Sequence, residues 1–266
     1  MNKLENQMVS LLRRMREEFY LVSVKGEFEA EGARQEELLR LKEIATKAEV
    51  AMTVKIGGCE AITDMRMARA IGANQIVAPM IESAFAAQKY LNAAKLVFSE
   101  SELAELGLFI NVETVDGVRN FDAICSLPAS AALTGLDIGR VDMAGSMGLL
   151  PEDCNSSQVF DVCLSMCKRW KAVYPEKEFV IGGFLNPQTI SFLEAMPAEC
   201  KVGCESKKVV LASGVIQEAK LRAAFASAIE FERLWYQNCM NDYQQLTGKN
   251  WAYFEALPKY QALMAE

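Results

Sequence analysis

Short apolar segments rich in β-branched residues alternate along the chain with longer segments in which apolar residues recur every three or four positions. The short segments are typical of buried strands and the longer ones of amphipathic helices, so the alternation predicts an α/β fold built on a parallel sheet. At least six helical segments separate the strands, and no Gly-, Pro- or Ser-rich linker interrupts the series. The eight predicted strands lie at 20–26, 51–58, 75–83, 107–114, 131–139, 178–183, 200–205 and 207–213.

Eight strands in one series favour a closed (β/α)8 barrel, the TIM-like fold, over an open doubly wound sheet. The motif G-x-G-x-x-G, which marks dinucleotide-binding sheets, does not follow the first strand. We predict a single domain over 1–266, with an N-terminal helix at 1–19, the barrel at 20–213 and a C-terminal helical arm at 214–266. The link between the last two strands is too short for a crossover helix, so the pairing of these strands stays open.

Charged residues occupy interior-facing positions near the ends of three predicted strands. Side chains alternate between the two faces of a strand, and this alternation points Lys25 and Glu27, Lys55, and Glu113 into the barrel. Barrel active sites lie at the carboxyl ends of the strands, where these charges gather. A buried charge is unfavourable unless it is paired or binds a metal, so the pattern predicts a polar site. Ion pairs without chemistry, Lys25 with Glu27 and Lys55 with Glu113, are the alternative.

Composition limits the chemistry that such a site can perform. The chain has no histidine, which excludes Ser-His-Asp and Cys-His triads, imidazole bases and His-bearing zinc sites. Acid–base steps must therefore use carboxylates, Lys, Tyr, Cys or metal-bound water. The net charge of -7 argues against general nucleic-acid binding. Eight irregularly spaced cysteines without a secretion signal indicate reduced thiols and a cytoplasmic protein, and no apolar segment approaches the ~20 residues of a membrane span.

A second carboxylate follows the fifth predicted strand. Asp137 and Asp142 lie in GLDIGRVDMAGSMG, at or beyond the end of that strand. Carboxylates in loops are commonly solvated or cap a helix. Together with Glu113, however, Asp142 could supply two oxygen ligands for a hard cation such as Mg²⁺ or Mn²⁺.

These segments carry a resemblance to a known family. NVETVDGVRNFDAI at 111–124, followed by GLDIGRVDMAGSMG at 135–148, resembles the HpcH/HpaI aldolase–citrate lyase family. The block at 54–83 is similar to the strand–helix–strand unit that precedes them in the family, and 24–41 resembles its Gly-Glu-His segment and the helix that follows. The resemblance covers roughly 20–213.

The resemblance implies a metal-dependent reaction. Glu113 and Asp142 would be the carboxylate ligands of Mg²⁺ or Mn²⁺, and the cation would stabilise the enolate of a 2-oxo acid or a related acyl substrate. Backbone N–H groups in the turn that contains Gly145, Ser146 and Met147 would hold the substrate carboxylate.

Three positions depart from the family pattern. Phe28 stands where the aldolases have their acid–base histidine, Lys55 replaces an arginine that binds substrate, and Lys25 replaces an aspartate. We expect a carbon–carbon lyase, aldolase or synthase in which Lys55 contacts the substrate oxygen, and Lys25, Glu27 or metal-bound water transfers protons. Two alternatives are an aldolase with Lys25 or Lys55 as Schiff-base nucleophile and a barrel that only binds a ligand or partner.

The ends of the chain also differ from the family. The first strand of the family precedes its Gly-Glu-His strand, whereas only a helix precedes that strand here. We predict that 207–213 fills the vacant barrel position from the C-terminal side. C-terminal helices of the family often pack on neighbouring subunits, so we expect a homo-oligomer; a tail that folds back on its own barrel is the alternative. The aromatic residues behind this expectation are Trp235, Tyr236, Tyr243, Trp251, Tyr253, Phe254 and Tyr260.

Overall fold

Eight strands close into one barrel in the order in which they occur along the chain. The structure, a computed structural model, describes residues 1–263, apart from the side chains of Leu246 and of 249–263. Four of the predicted aromatic residues, Trp251, Tyr253, Phe254 and Tyr260, therefore have side chains outside the described part. The strands are β1 (Leu21–Glu27), β2 (Ala51–Lys55), β3 (Gln75–Ala78), β4 (Gly107–Asn111), β5 (Gly135–Gly139), β6 (Glu178–Gly182), β7 (Gly203–Glu205) and β8 (Val209–Leu211).

Helices surround the barrel, and one helix precedes the first strand. The apolar periodicity of the sequence predicts helices at 84–97 and 115–126. The first matches α4 at both ends, whereas the second is divided at Asn120 into α6 and α7. The helices are α1 (Lys3–Glu18), α2 (Gln35–Ala48), α3 (Ile62–Ile71), α4 (Ala84–Val97), α5 (Glu100–Glu105), α6 (Val115–Arg119), α7 (Phe121–Ser126), α8 (Arg140–Ser146), α9 (Ser157–Val173), α10 (Pro187–Glu194), α11 (Gly214–Gln217) and α12 (Leu221–Leu263).

The last strand closes the barrel from the C-terminal side. Strands β1 to β7 are parallel, while β8 runs antiparallel to both β7 and β1. The link from Glu205 to Val209 is long enough for a hairpin but not for a crossover helix, so β8 must reverse direction. The prediction that 207–213 occupies the vacant barrel position is confirmed, and the fold is a TIM-like α/β barrel in which the eighth strand is antiparallel.

Alternation along the strands separates the barrel interior from the helix-facing core. Val77, Phe109, Val180 and Val210 form a small apolar cluster inside the barrel, separate from the main core. Their neighbours along the strands, such as Ile76 and Leu108, belong to the main core between strands and helices. The inward direction predicted from the period of two is thereby confirmed, and the interior below the strand ends is filled by side chains.

The N-terminal helix packs against α2 and α12. Met8, Leu12 and Met15 lie on the side of α1 that faces the core and are fully inaccessible to solvent. Asn2 caps the helix and also donates a hydrogen bond of 2.6 Å to Asn238 on α12. Helix α1 therefore ties the start of the chain to the C-terminal helix.

Two further findings concern the whole described chain. All eight cysteines are free thiols, and six of them are buried. None of the helices in residues 1–263 combines the length and apolar character needed to cross a bilayer.

Candidate active site

The carboxyl ends of the strands surround a cavity of about 540 Å³. Five predicted site residues line it: Lys25, Glu27, Lys55, Glu113 and Asp142. They come from β1, β2, the residues that follow β4 and the first turn of α8. The fold thus brings together side chains that are up to 117 positions apart in the sequence, from Lys25 to Asp142.

Lys25 forms a buried ion pair that the sequence analysis did not predict. Its ammonium group contacts Glu205 on β7, and both side chains are less than a tenth exposed. Burial lowers the pKa of Lys25, but attraction by the Glu205 and Asp137 carboxylates outweighs burial, so the pKa is raised. Lys25 is therefore a fixed cation at neutral pH, and its partner is Glu205 rather than Glu27.

Lys55 lies between two carboxylates. Its Nζ is 2.9 Å from Glu29 Oε2 and 3.4 Å from Glu113 Oε1. Burial lowers the pKa of Lys55, yet Glu113 and Glu29 together raise it above the ordinary value. The predicted proximity of Lys55 and Glu113 is thus observed, with Glu29 as an additional contact from the β1–α2 loop.

Glu113 is held in place by three donors. Asn111 Nδ2 donates a hydrogen bond of 2.9 Å and the Gly139 amide one of 3.1 Å to Oε2, while Lys55 donates to Oε1. Burial raises the pKa of Glu113, and Lys55 partly reverses this effect. The carboxylate has one oxygen directed at Lys55 and the other at the backbone of Gly139.

Asp142 approaches Glu113 at Gly139. A Cβ atom placed on Gly139 would lie 2.2 Å from Glu113 Oε2 and 3.4 Å from Asp142 Oδ2. The two carboxylates therefore share the space beside the Gly139 Cα, which only a residue without a side chain leaves open. Asp142 itself is exposed, in the first turn of α8.

The donor atoms suit a hard divalent cation. Mg²⁺ and Mn²⁺ prefer oxygen ligands, and Mg²⁺ is commonly held by one or two carboxylates with water and substrate oxygens completing its shell. Another oxygen, Oδ1 of Asn111, is buried beside Glu113 without a hydrogen-bond partner in residues 1–263. A closed set of three or more Asp, Glu or Cys side chains is absent from this part of the chain. The residues fit a cation held by Glu113 and Asp142 with open positions.

Glu27 lines the cavity and is 8% exposed. Burial raises its pKa, the Lys25 ammonium lowers it, and the neighbouring Glu31 carboxylate raises it again, with a net increase. In the described structure no side chain donates a hydrogen bond to its carboxyl group. Glu27 is therefore a carboxyl that can gain or lose a proton at the cavity wall.

Three further charged residues of the site were not among the predicted site residues. Asp137 is 2% exposed, and burial together with Glu205 raises its pKa well above the usual range, although Lys25 and Lys55 act in the opposite direction. Its Oδ1 atom has no hydrogen-bond partner within the described residues. Alternation along β5 and β7 would have placed Asp137 and Glu205 inside the barrel; Glu29 lies in a loop, where no such periodicity applies.

The segment predicted to hold the substrate carboxylate has a different local structure. Gly145 and Ser146 form the last turn of α8 and Met147 is its C-cap, where the sequence had predicted a turn. The Met147 amide donates to the carbonyls of Met143 and Ala144, and Ser146 Oγ accepts a hydrogen bond from the Val115 amide. The end of a helix presents carbonyl groups rather than free N–H groups. These three residues are not part of the lining described above. The predicted turn is present at Met147 and Gly148 only, and the role of the segment in holding the substrate carboxylate stays a prediction.

Phe28 is the residue that the sequence resemblance aligns with the acid–base histidine of related aldolases. Its ring is half-buried and packs against the main core, and Phe28 is not among the residues that line the cavity. The position that departs from the family pattern therefore lies beside the site rather than in its wall.

A buried arginine fixes one wall of the cavity. Arg140 Nε donates to the Gly182 carbonyl at 2.9 Å, and Nη2 donates to the Phe184 carbonyl at 3.1 Å. Gly183, between them, has a φ of 131° and lies against the guanidinium group, so a side chain there would be strained. These contacts thus hold the loop after β6 in place next to the charged residues at the strand ends.

The sequence matches a family model. The model for HpcH/HpaI aldolase/citrate lyase matches residues 30–168. No curated protein is a significant match to the chain.

Solved structures of low sequence identity have the same fold. An HpcH/HpaI aldolase from Desulfitobacterium hafniense DCB-2 has 14% identity and a TM-score of 0.60, over 84% of this chain and 87% of that one. An HpcH/HpaI aldolase/citrate lyase family protein from Burkholderia cenocepacia J2315 has 16% identity and a TM-score of 0.58, over 84% and 90%. The citrate synthase SbnG has 16% identity and a TM-score of 0.57, over 84% and 89%. At these identities the similarity supports the barrel fold alone.

Proposed function

Because the chain belongs to the HpcH/HpaI aldolase/citrate lyase family, whose members are lyases, we propose that it is a divalent-metal-dependent carbon–carbon lyase or aldolase that acts on a 2-oxo acid. The observation that carries this proposal is the approach of Glu113 and Asp142 to one point at Gly139, next to the buried ammonium of Lys55. This arrangement supports the proposal, because two carboxylates and a fixed positive charge lie on the same side of the cavity.

Each residue of this cluster has a role in the proposal. Glu113 and Asp142 would hold Mg²⁺ or Mn²⁺, which when bound supplies positive charge where the enolate oxygen of the substrate develops negative charge. Lys55 donates a hydrogen bond to the same region of the substrate, as a point charge without the two-pronged geometry of arginine. The hydrogen bonds from Asn111 and Gly139 keep Glu113 oriented, and the Lys55 ammonium and the Asn111 bond favour its ionised form against the effect of burial.

Proton transfer falls to Glu27 in this proposal. In aldol cleavage a base removes the hydroxyl proton of the substrate, the carbon–carbon bond breaks, and an acid returns a proton to the enolate carbon. Lys25 is poorly suited because Glu205 keeps it ionised. Glu27 faces the cavity, and its raised pKa brings it closer to neutrality, where a carboxyl can perform both steps.

The two lysines are less suited to Schiff-base catalysis. A Schiff base forms on a neutral amine, which requires a lowered lysine pKa. Carboxylates raise the pKa of both Lys25 and Lys55 instead. A barrel that binds its ligand without turnover is retained as an outcome of the experiment below.

The exchange of the methyl protons of pyruvate in D₂O tests the proposal without knowledge of the second substrate. We expect NMR to record exchange that requires Mg²⁺ or Mn²⁺ and stops with EDTA, because Glu113 and Asp142 would hold the cation whose charge stabilises the enolate. Glu113→Gln and Asp142→Asn should each lower both exchange and Mn²⁺ affinity. Asp116→Asn, which alters an exposed carboxylate on α6, is the matched control and should change neither.

Three results would contradict the proposal. Equal, negligible Mn²⁺ binding by the wild type and Glu113→Gln would remove the metal site. Exchange that persists in EDTA, together with a pyruvate–lysine adduct that borohydride traps, would favour the Schiff-base alternative. Pyruvate binding without exchange would leave a ligand-binding barrel.

We also propose that the chain forms a homo-oligomer through α12. This helix has 43 residues and is about 65 Å long at 1.5 Å per residue, roughly twice the length of a 20-residue helix that spans a small domain. Light scattering after size exclusion should give a multiple of 29.5 kDa, and a mass of one chain would contradict the expectation.

A further inference from the structure

The upper part of the cavity differs chemically from its floor. The floor is the charged cluster at the strand ends, formed by Lys25, Glu27, Lys55, Glu113 and Asp142. Five apolar residues, Ala30, Val141, Phe184, Leu185 and Ile229, line the cavity above the charged cluster, and we refer to them as the apolar rim. We propose that the apolar rim binds the aldehyde portion of the aldol substrate, and that this aldehyde is uncharged and carries an apolar chain or ring. The inference rests on the proposed function and adds the class of the second substrate.

The size of the cavity requires a second, larger group. In liquid water each molecule takes up about 30 Å³, so a cavity of about 540 Å³ accommodates several times the six non-hydrogen atoms of pyruvate. Pyruvate bound at Glu113, Asp142 and Lys55 would fill only the floor. The remaining volume lies against the apolar rim.

The rim exposes large apolar side chains that a solvated loop does not require. Phe184 is 48% exposed and Ile229 is 51% exposed. Concave apolar surface beside convergent polar groups is typical of small-molecule sites. Because burial of each CH₂ group changes an equilibrium about fourfold, an apolar chain on this surface would gain affinity with every carbon.

The rim is built from fixed elements. The carbonyl group of Phe184 accepts a hydrogen bond from the buried Arg140, and the φ of Gly183 is one that favours glycine. Ile229 lies on α12, whose preceding turn is anchored in the core by Ala228 and Phe225. The apolar surface is therefore a preformed part of the cavity wall, which reduces the entropic cost of binding.

Charge around the rim selects against anionic aldehydes. Besides the carboxylates of the charged cluster, Glu29 and Glu232 line the cavity, and the exposed Lys207 is a cation in the same lining. A carboxylate or phosphate at the far end of the aldehyde would face these carboxylates, and like charges at short range exclude a ligand. An uncharged chain meets the apolar side chains without this repulsion.

The reaction that this inference implies is a balanced aldol addition. The enolate carbon of pyruvate forms a bond to the carbonyl carbon of the aldehyde, and the π electrons of that carbonyl move to its oxygen. Glu27 holds the proton that left the pyruvate methyl group. It then donates this proton to the oxygen, and the hydroxyl group of the product is formed. Cleavage is the same sequence in reverse.

The first experiment measures aldol formation by NMR with pyruvate, Mn²⁺ and a series of aldehydes. We expect kcat/KM for hexanal to exceed that for butanal about sixteenfold, because two further CH₂ groups are buried. Hexanal should also exceed succinic semialdehyde and glyceraldehyde 3-phosphate. Ile229→Asp and Phe184→Ala should lower the value for hexanal at least fivefold, whereas Leu96→Ala, which removes a side chain 72% exposed on α4, should leave it unchanged.

A second experiment does not depend on turnover. Saturation-transfer NMR should detect hexan-1-ol on the wild type, a weaker signal with Ile229→Asp, and weaker binding of hexanoate than of hexan-1-ol. Equal binding of hexanoate and hexan-1-ol, or hexan-1-ol binding that neither rim variant alters, would overturn the inference. If pyruvate exchange occurs but chain length has no effect, the inference fails and the proposed function stands. If exchange is absent but the rim binds hexan-1-ol as described, the proposed function fails and the apolar site stands.

Discussion

Gly139 is the position where one methyl group tests the proposed metal site. A Cβ atom there would lie 2.2 Å from Glu113 Oε2, and real Cβ atoms essentially never approach a heavy atom within 3.0 Å. The backbone of Gly139, with φ -78° and ψ 102°, accepts alanine without strain. In Gly139→Ala the Glu113 carboxylate must therefore move by roughly 1 Å, because the dense packing of a protein interior leaves no other adjustment.

The size of the effect follows from the contacts that Glu113 would lose. Movement of Oε2 breaks the 3.1 Å hydrogen bond from the Gly139 amide and lengthens the 2.9 Å bond from Asn111. A hydrogen bond to a charged group contributes about 1.5–3 kcal/mol, so one lost bond lowers the free energy of unfolding by about that amount. Disturbance of the groups that orient a metal ligand typically lowers affinity 10–100-fold, and we expect a loss in this range for Mn²⁺.

Isothermal titration with Mn²⁺ and urea unfolding measure the two effects. Gly145→Ala is the matched control. Gly145 lies in α8, the helix that begins directly after Gly139, and no atom approaches the position of its added Cβ within 4 Å. Alanine within a helix is more favourable than glycine by about 0.5–1 kcal/mol, so the control should be slightly more stable with unchanged Mn²⁺ affinity. Unchanged Mn²⁺ affinity in Gly139→Ala, or equal losses in both variants, would refute the assignment of Glu113 as a ligand.

Four further predictions concern the charged residues of the site and their neighbour Phe28. Glu27→Gln should abolish the acidic limb of the pH profile of pyruvate exchange while Mn²⁺ affinity is retained; an unaltered limb would exclude Glu27 as the proton carrier. Lys25→Met leaves the buried Glu205 without its partner and should lower the free energy of unfolding by about 3–5 kcal/mol, most of which returns in Lys25→Met/Glu205→Leu; urea titration measures both, and a double variant no more stable than the single one would contradict the pairing. The pKa of Asp137 is raised in the folded state, so the native protein binds more protons than the unfolded chain at pH values between the usual value of 3.8 and the raised one, and stability falls as pH rises through this window; Asp137→Asn should flatten that fall in urea titrations at several pH values. Phe28→His should give no gain in pyruvate exchange, because this position packs on the core, and a gain would show that the side chain can reach the cavity.

The barrel was predictable because its signals are local. Strand and helix periodicities differ, and the alternation of the two along the chain identified each strand within a few residues. The period of two along β1, β2 and the segment after β4 also placed Lys25, Lys55 and Glu113 inside the barrel. Where the pattern is weak the prediction was right only in part: the turn predicted at 145–148 is confined to Met147 and Gly148, because α8 continues through Ser146 with its buried Met143 and Ala144 packed against the core.

Partners in the site could not be predicted from periodicity. The pairing of Lys25 with Glu205 joins residues 180 positions apart, and the contact of Lys55 with Glu29 depends on the course of a loop. The first pair exists because closure of the barrel leaves only β8 between β7 and β1, and the second because the β1–α2 loop brings Glu29 to the cavity. The alternative in which Lys25 pairs with Glu27 considered only neighbours along one strand, and side chains two apart on a strand point the same way without meeting across the barrel.

The sequence by itself determined the order of strands and helices, the inward direction of the charged residues, and the presence of carboxylates at positions 113 and 142. These features follow from local periodicity and from motifs that stay together along the chain. Only the tertiary structure decided that β8 closes the barrel in the antiparallel direction, that Glu205 neutralises Lys25, and that Gly139 leaves room for two carboxylates. The physical reason is that pKa values, ion pairs and cavities depend on distances across the barrel, which are fixed only when the strands close.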